Sequence, residues 1–107
     1  MEMKREKLEI EEADRMAVTF KGLADRTRLR LLALLLQGEA CVTDLAAAID
    51  VSQSAVSHQL SVLRHLQFVS TRREGQQIFY RIDDEHISDL FQRALEHSHH
   101  INKENPA

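Results

Sequence analysis

Four residues near the end of the chain have the types and spacing of metal ligands. The stretch DDEHISDLFQRALEHSHH, residues 83–100, opens with Asp84-x-His86 and closes with His97-x-x-His100. On a helix turning about 100° per residue, His97 lies about 20° from His86 and His100 about 40° from it on the other side. Asp84 precedes the helix and can turn toward that stripe, whereas His99 falls off it. Eleven residues at about 1.5 Å each put about 16 Å between His86 and His97, and ligands must come within about 2 Å of one ion. One helix therefore cannot close a site. Two copies packed antiparallel about a twofold axis can, each end completing the other, giving two equivalent sites per pair. Three imidazoles and one carboxylate without a thiolate suit Zn(II) or Co(II) in tetrahedral geometry. The same residues also read as a solvated histidine-rich helix end.

The elements that must position these residues follow from local signals. Leu8, Ile10, Ala13, Ala17 and Phe20 recur near helical spacing and predict a first helix with an acidic outer face. In ADRTRLRLLALLLQG, Asp25 stands where an N-cap or first-turn acid sits and Gly38 where a helix stops, predicting the most buried helix. Two helix starts follow, at Thr43 and at Ser52 or Ser54, with Asp50 and Val51 between them. Past Gln67 the period shortens: FVSTRRE and QIFYRID flank Gly75 and predict a two-stranded hairpin. Asp83 or Asp84 then caps a last helix to about His99, and INKENPA trails as a polar tail. The fold class expected is mainly α with a small β-hairpin, in one domain over residues 1–107.

Two short helices joined by a tight turn can set the second into a DNA major groove. Its leading end here reads Ser52, Gln53, Ser54, Ser57, His58 and Gln59, short or amide side chains able to donate and accept. Val56, Leu60, Leu63 and Leu66 are spaced to pack inward. Near the hairpin tip Arg72 and Arg73 are placed to reach phosphate, and Arg64 adds a third cation. Net charge is −3, yet residues 52–81 hold four arginines against one glutamate, +3 locally, leaving −6 for the rest. That division suits a protein touching phosphate with one surface.

Bulk composition excludes other classes. With 107 residues, 43% hydrophobic and 29% charged, the chain is expected to fold as one small globular domain. No apolar run approaches the roughly 20 residues of a membrane span, and the charged MEMKREKLEIEE lacks a secretory signal, so a cytoplasmic location is expected. Cys41 is the single cysteine, expected to be packed or idle rather than a ligand. No Gly-rich phosphate loop or nucleophile motif points to an enzyme.

The segments LADRTRLRLLALLLQGE, VTDLAAAIDVSQSAVSHQLSVLRHLQFV and RREGQQIFYRIDD resemble the ArsR/SmtB metal-responsive repressors, with SQSAVSHQLSVLR as the specific signature. The resemblance runs from about Phe20 to His100. It implies a homodimeric winged helix-turn-helix protein, with an N-terminal helical arm and a C-terminal dimerisation and metal-sensing helix. Such a protein binds operator DNA and releases it when an inducer binds. It implies Ser54–Leu66 as the DNA-reading helix and Asp84, His86, His97 and His100 as a Zn(II) or Co(II) site shared between subunits. Thiolate-using members often carry Cys-Val-Cys ahead of the helix-turn-helix, and this chain departs from them with Cys41-Val42-Thr43. The alternative is an ArsR-type repressor that senses Ni(II), with Glu2, Glu6 and Glu9 as oxygen donors, or a non-metal signal with a vestigial metal site.

Overall fold

The computed structural model describes residues 5–104, with side chains through Ile101. Helix α1 spans Ile10–Leu23 and α2 Arg26–Leu35. The short strand β1, Ala40–Cys41, leads into α3, Val42–Ile49. Helix α4 covers Gln53–His65, strands β2 and β3 are Val69–Glu74 and Gln77–Ile82, and α5 is Glu85–Glu104. All three strands form one antiparallel sheet in the order β1-β3-β2. The hairpin expected from the sequence is thus part of a three-stranded sheet, because Ala40 pairs with Tyr80 and Cys41 with Phe79.

Capping explains most boundaries. The Asp25 carboxylate accepts from the Arg28 amide at 2.9 Å and starts α2. Helix α3 begins at Val42 with Cys41 as its N-cap, two residues before the expected start at Thr43 and Asp44. Asp50 ends it in the left-handed region at φ 54°, a conformation that short polar side chains tolerate. Ser52, not Ser54, caps α4, its Oγ accepting from the Ala55 amide at 3.2 Å. At the other end of α4, Gln67 takes φ 64°. There the Phe68 amide donates to the Leu63 carbonyl at 3.0 Å and the Gln67 amide to that of Arg64 at 2.9 Å. That paired closure turns the chain into β2 while Phe68 stays in the core beside Leu63. Gly75, at φ +63°, opens the two-residue loop between β2 and β3.

Leu31, Leu32 and Leu35 of α2 meet Leu45, Ala46 and Ile49 of α3 and Val56, Leu60 and Leu63 of α4. Each of these helices buries three residues, so α2 is not more buried than its neighbours. Of its other leucines, Leu34 is partly buried against this core and Leu29 is exposed. Ile87 and Phe91 bring only the first turns of α5 into this core. Beyond Phe91 the helix is exposed as far as Ile101, and α1 buries Gly22 alone. The radius of gyration, 16.8 Å, exceeds the roughly 13 Å of a compact domain of this length, because α1 and α5 project from the body. Among the described residues no helix is long and apolar enough to cross a membrane.

Candidate nucleic-acid interface and metal centre

Helix α4 is amphipathic in the sense its sequence demands. Val56, Leu60 and Leu63 are fully buried, while Gln53, Ser54, Ser57, His58 and Arg64 are exposed. Ser52 Oγ lies 3.4 Å from Ser54 Oγ at the leading end. A cleft of about 290 Å³ joins Ser57 and Thr43 to Gln76 and Gln77 of the hairpin. The tertiary fold therefore brings the helix-turn-helix and the wing to one surface. Gln59 is half-buried, its Oε1 accepting from Arg28 Nη1 at 3.1 Å. Gln59 is thus one of the expected DNA-facing residues already bonded within the protein.

Arg72 and Arg73 separate on opposite sheet faces, as the two-residue period of a strand requires. Arg72 Nε donates to both Glu39 carboxylate oxygens at 2.9 and 3.0 Å, Nη2 donates to Glu39 Oε1, and Nη1 donates to Glu74 Oε2 at 2.7 Å. Its guanidinium also lies over the Phe79 ring, 4.6 Å from the centroid. The Glu39 hydrogen bond leads in holding the Arg72 charge above its ordinary range, and the same bond lowers the Glu39 carboxyl. Arg72, expected near phosphate, is held here by two carboxylates that tie the wing to the turn after α2. Arg73 is exposed and makes no ion pair among the described residues. Arg81 reaches Ser70 at 3.3 Å and Asp83 at 3.6 Å. Sequence reasoning missed Glu39 because 33 residues separate it from Arg72 and no local pattern links them.

At the start of α5, Asp84 Oδ1 accepts from the His86 amide at 2.8 Å and lies 3.2 Å from His86 Nδ1. Asp84 is thus the cap, in preference to Asp83, and the cap itself draws the two expected donors together. Two ligands on a tetrahedral Zn(II) with bonds of about 2.0–2.1 Å stand about 3.3 Å apart, a spacing that this pair matches. His97 and His100 follow on the same unbroken helix, which continues past His99 to Glu104. The separation expected from the sequence therefore stands: Asp84 with His86, and His97 with His100, sit more than two turns apart. Among the described residues no three His, Cys, Asp or Glu side chains of one protomer gather as a metal site. Cys41 is buried in the junction of β1 and α3. Glu6 and Glu9 are exposed ahead of α1, and Glu2 lies outside the described residues.

The model of the family described as bacterial regulatory protein, arsR family, matches residues 25–71, which run from the α2 cap into β2. A transcriptional repressor SmtB homolog from Synechocystis sp. is 45% identical over 92 residues, covering 86% of this chain and 70% of that protein. The crystal structure of the AntR antimony-specific transcriptional repressor superposes with a TM-score of 0.85 at 38% identity, covering 92% of this chain and 90% of that one. The homodimeric winged helix-turn-helix DNA-binding domain of a Mycobacterium bovis protein gives a TM-score of 0.77 at 32% identity, covering 89% of each chain. With its α4 reading face, its wing and these relatives, the chain is a winged helix-turn-helix regulator, not an enzyme, and belongs to the ArsR/SmtB family of metal-responsive transcriptional repressors.

Proposed function

We propose that the chain acts as a homodimer that represses by binding operator DNA and lets go when Zn(II) or Co(II) binds at sites shared between the two α5 helices. The observation that carries this reading is the Asp84–His86 pair, held at 3.2 Å by the helix cap, with His97 and His100 along the same helix. Asp84 and His86 of one protomer and His97 and His100 of the other hold each ion. Homodimerisation is supported by the projecting helices: Leu8, Ile10, Met16, Phe20, Leu95 and Ile101 are all exposed large apolar side chains around α1 and α5. Of these, Phe20 and Leu95 line an apolar groove of about 430 Å³ between α1 and α5. A bound metal supplies charge that neutral imidazoles and one carboxylate can share. Antimony, named for the AntR repressor, is a soft element that favours thiolates, and this chain offers only buried Cys41.

Release follows from linkage. Closing donors of two protomers around an ion favours one arrangement of the dimer, and operator DNA favours the arrangement whose reading helices sit about 34 Å apart. Ion and DNA then weaken each other's binding by one shared factor. The test is fluorescence anisotropy of the purified protein on its own upstream DNA at fixed salt, with and without one equivalent of Zn(II) per protomer. Loss of affinity that disappears in His86→Ala and His97→Ala is the expected result. Tight DNA binding indifferent to zinc would remove zinc as the inducer and leave Ni(II) or a non-metal signal.

A further inference from the structure

We infer that Arg28 is a positioning residue for DNA reading, a strut that fixes the roll of α4 against the C-terminal end of α1. Its side chain donates in three directions: Nε to the Gly22 carbonyl at 2.7 Å, Nη2 to the Lys21 carbonyl at 3.2 Å, and Nη1 to Gln59 Oε1 at 3.1 Å. The first two acceptors belong to the last turn of α1, where carbonyls lack helical partners and a cation is favoured. The third sits on the flank of the reading helix. A planar guanidinium holds such a fork with less loss of freedom than an ammonium would.

A second, independent contact closes the same joint. Gly22 is the buried residue of α1, and a Cβ there would stand 2.5 Å from Leu66 Cδ1 and 3.0 Å from Phe68 Cε2. The end of α1 therefore touches the trailing end of α4 through glycine and its middle through Arg28. Val56, Leu60 and Leu63 hold one face of α4 on the core, and rotation of α4 about its own axis would change the angle of its outer face. Contacts on the flank oppose that rotation, and they present Ser54, Ser57 and His58 at one angle. Arginine only donates, so the Gln59 amide must turn its oxygen to Arg28 and keep its two N–H donors for other partners. Gln59 works as the far end of the strut before it works as a reader.

The experiment uses the full chain on its upstream operator and on a random duplex of equal length, at fixed salt and at a temperature where circular dichroism shows each variant folded. Arg28→Met and Gln59→Met each lower the operator-to-random affinity ratio by about tenfold, as loss of a charge-assisted hydrogen bond at the joint implies. The double variant is no worse than the weaker single. Gln59→Glu keeps an acceptor for Arg28 and retains the ratio, because any added repulsion from phosphate acts on both duplexes alike. An unchanged ratio in Arg28→Met, multiplying effects in the double variant, or a Gln59→Glu ratio as low as that of Gln59→Met would each overturn the inference. If Arg28→Met does not fold, Gln59→Met and Gln59→Glu test the same joint from its exposed side.

Discussion

Asp84 caps α5 and is proposed to hold metal, and substitution can separate the two roles. As the cap of α5 it accepts from the His86 amide at 2.8 Å, and as a proposed ligand it contributes charge beside the His86 ring. Asparagine caps helices about as well as aspartate but is a poor anionic donor, whereas alanine fills neither role. Asp84→Asn should therefore leave thermal stability within a few tenths of a kcal/mol and leave metal-free operator binding unchanged. Asp84→Ala should cost about 1 kcal/mol, a fall in Tm of about 4–8 °C for a domain this small. Both should weaken zinc binding at least about 100-fold, since losing even a residue behind a ligand costs about 10–100-fold. Zinc titration against a chromophoric competitor, thermal unfolding and operator anisotropy, run on the same three proteins, read the effects apart. An Asp84→Asn protein that binds zinc as tightly as the parent would refute Asp84 as a ligand. An Asp84→Ala protein with unchanged Tm would refute its role as the cap.

Three further outcomes follow from the geometry. Arg73→Gln should lower the salt dependence of DNA binding by about 2 in log–log slope for a dimer, one phosphate per wing, while Arg72→Gln changes it by less than about 1; equal slopes would mean Arg72 leaves its carboxylates on DNA. The Glu39 carboxyl is held below its ordinary value of 4.5, chiefly by its hydrogen bond to Arg72. Its contribution is therefore complete above pH 4.5 and lost as pH falls through the lower folded value. Acid unfolding of Glu39→Gln should show less pH dependence in that window, and superimposable acid profiles would count against the clasp. Leu60→Ala empties a fully buried site and should cost about 2–5 kcal/mol in denaturant unfolding; a cost under about 1 would show that α4 repacks.

Much of this architecture is legible locally. Asp25, Ser52 or Ser54, and Asp83 or Asp84 mark three helix starts from local sequence, and short-range hydrogen bonds select Ser52 and Asp84. The Val56, Leu60 and Leu63 spacing marks the inward face of α4, and Gly75 marks the wing turn, because each depends only on neighbours within a few residues. The stripe of candidate ligands on α5 is equally local, since helical geometry alone aligns His86, His97 and His100. Strand β1 was not legible, for two residues carry no period and its pairing with β3 depends on where α3 and the wing meet. The same holds for the charges. Nothing near Arg72 identifies Glu39, 33 residues away, and nothing near Gln59 identifies Arg28, 31 residues away. Sequence type and spacing thus determine which side chains can do chemistry. Which of two adjacent arginines is held by carboxylates, and which amide is bonded inside the protein, depends on distant segments meeting, and only packing brings them together.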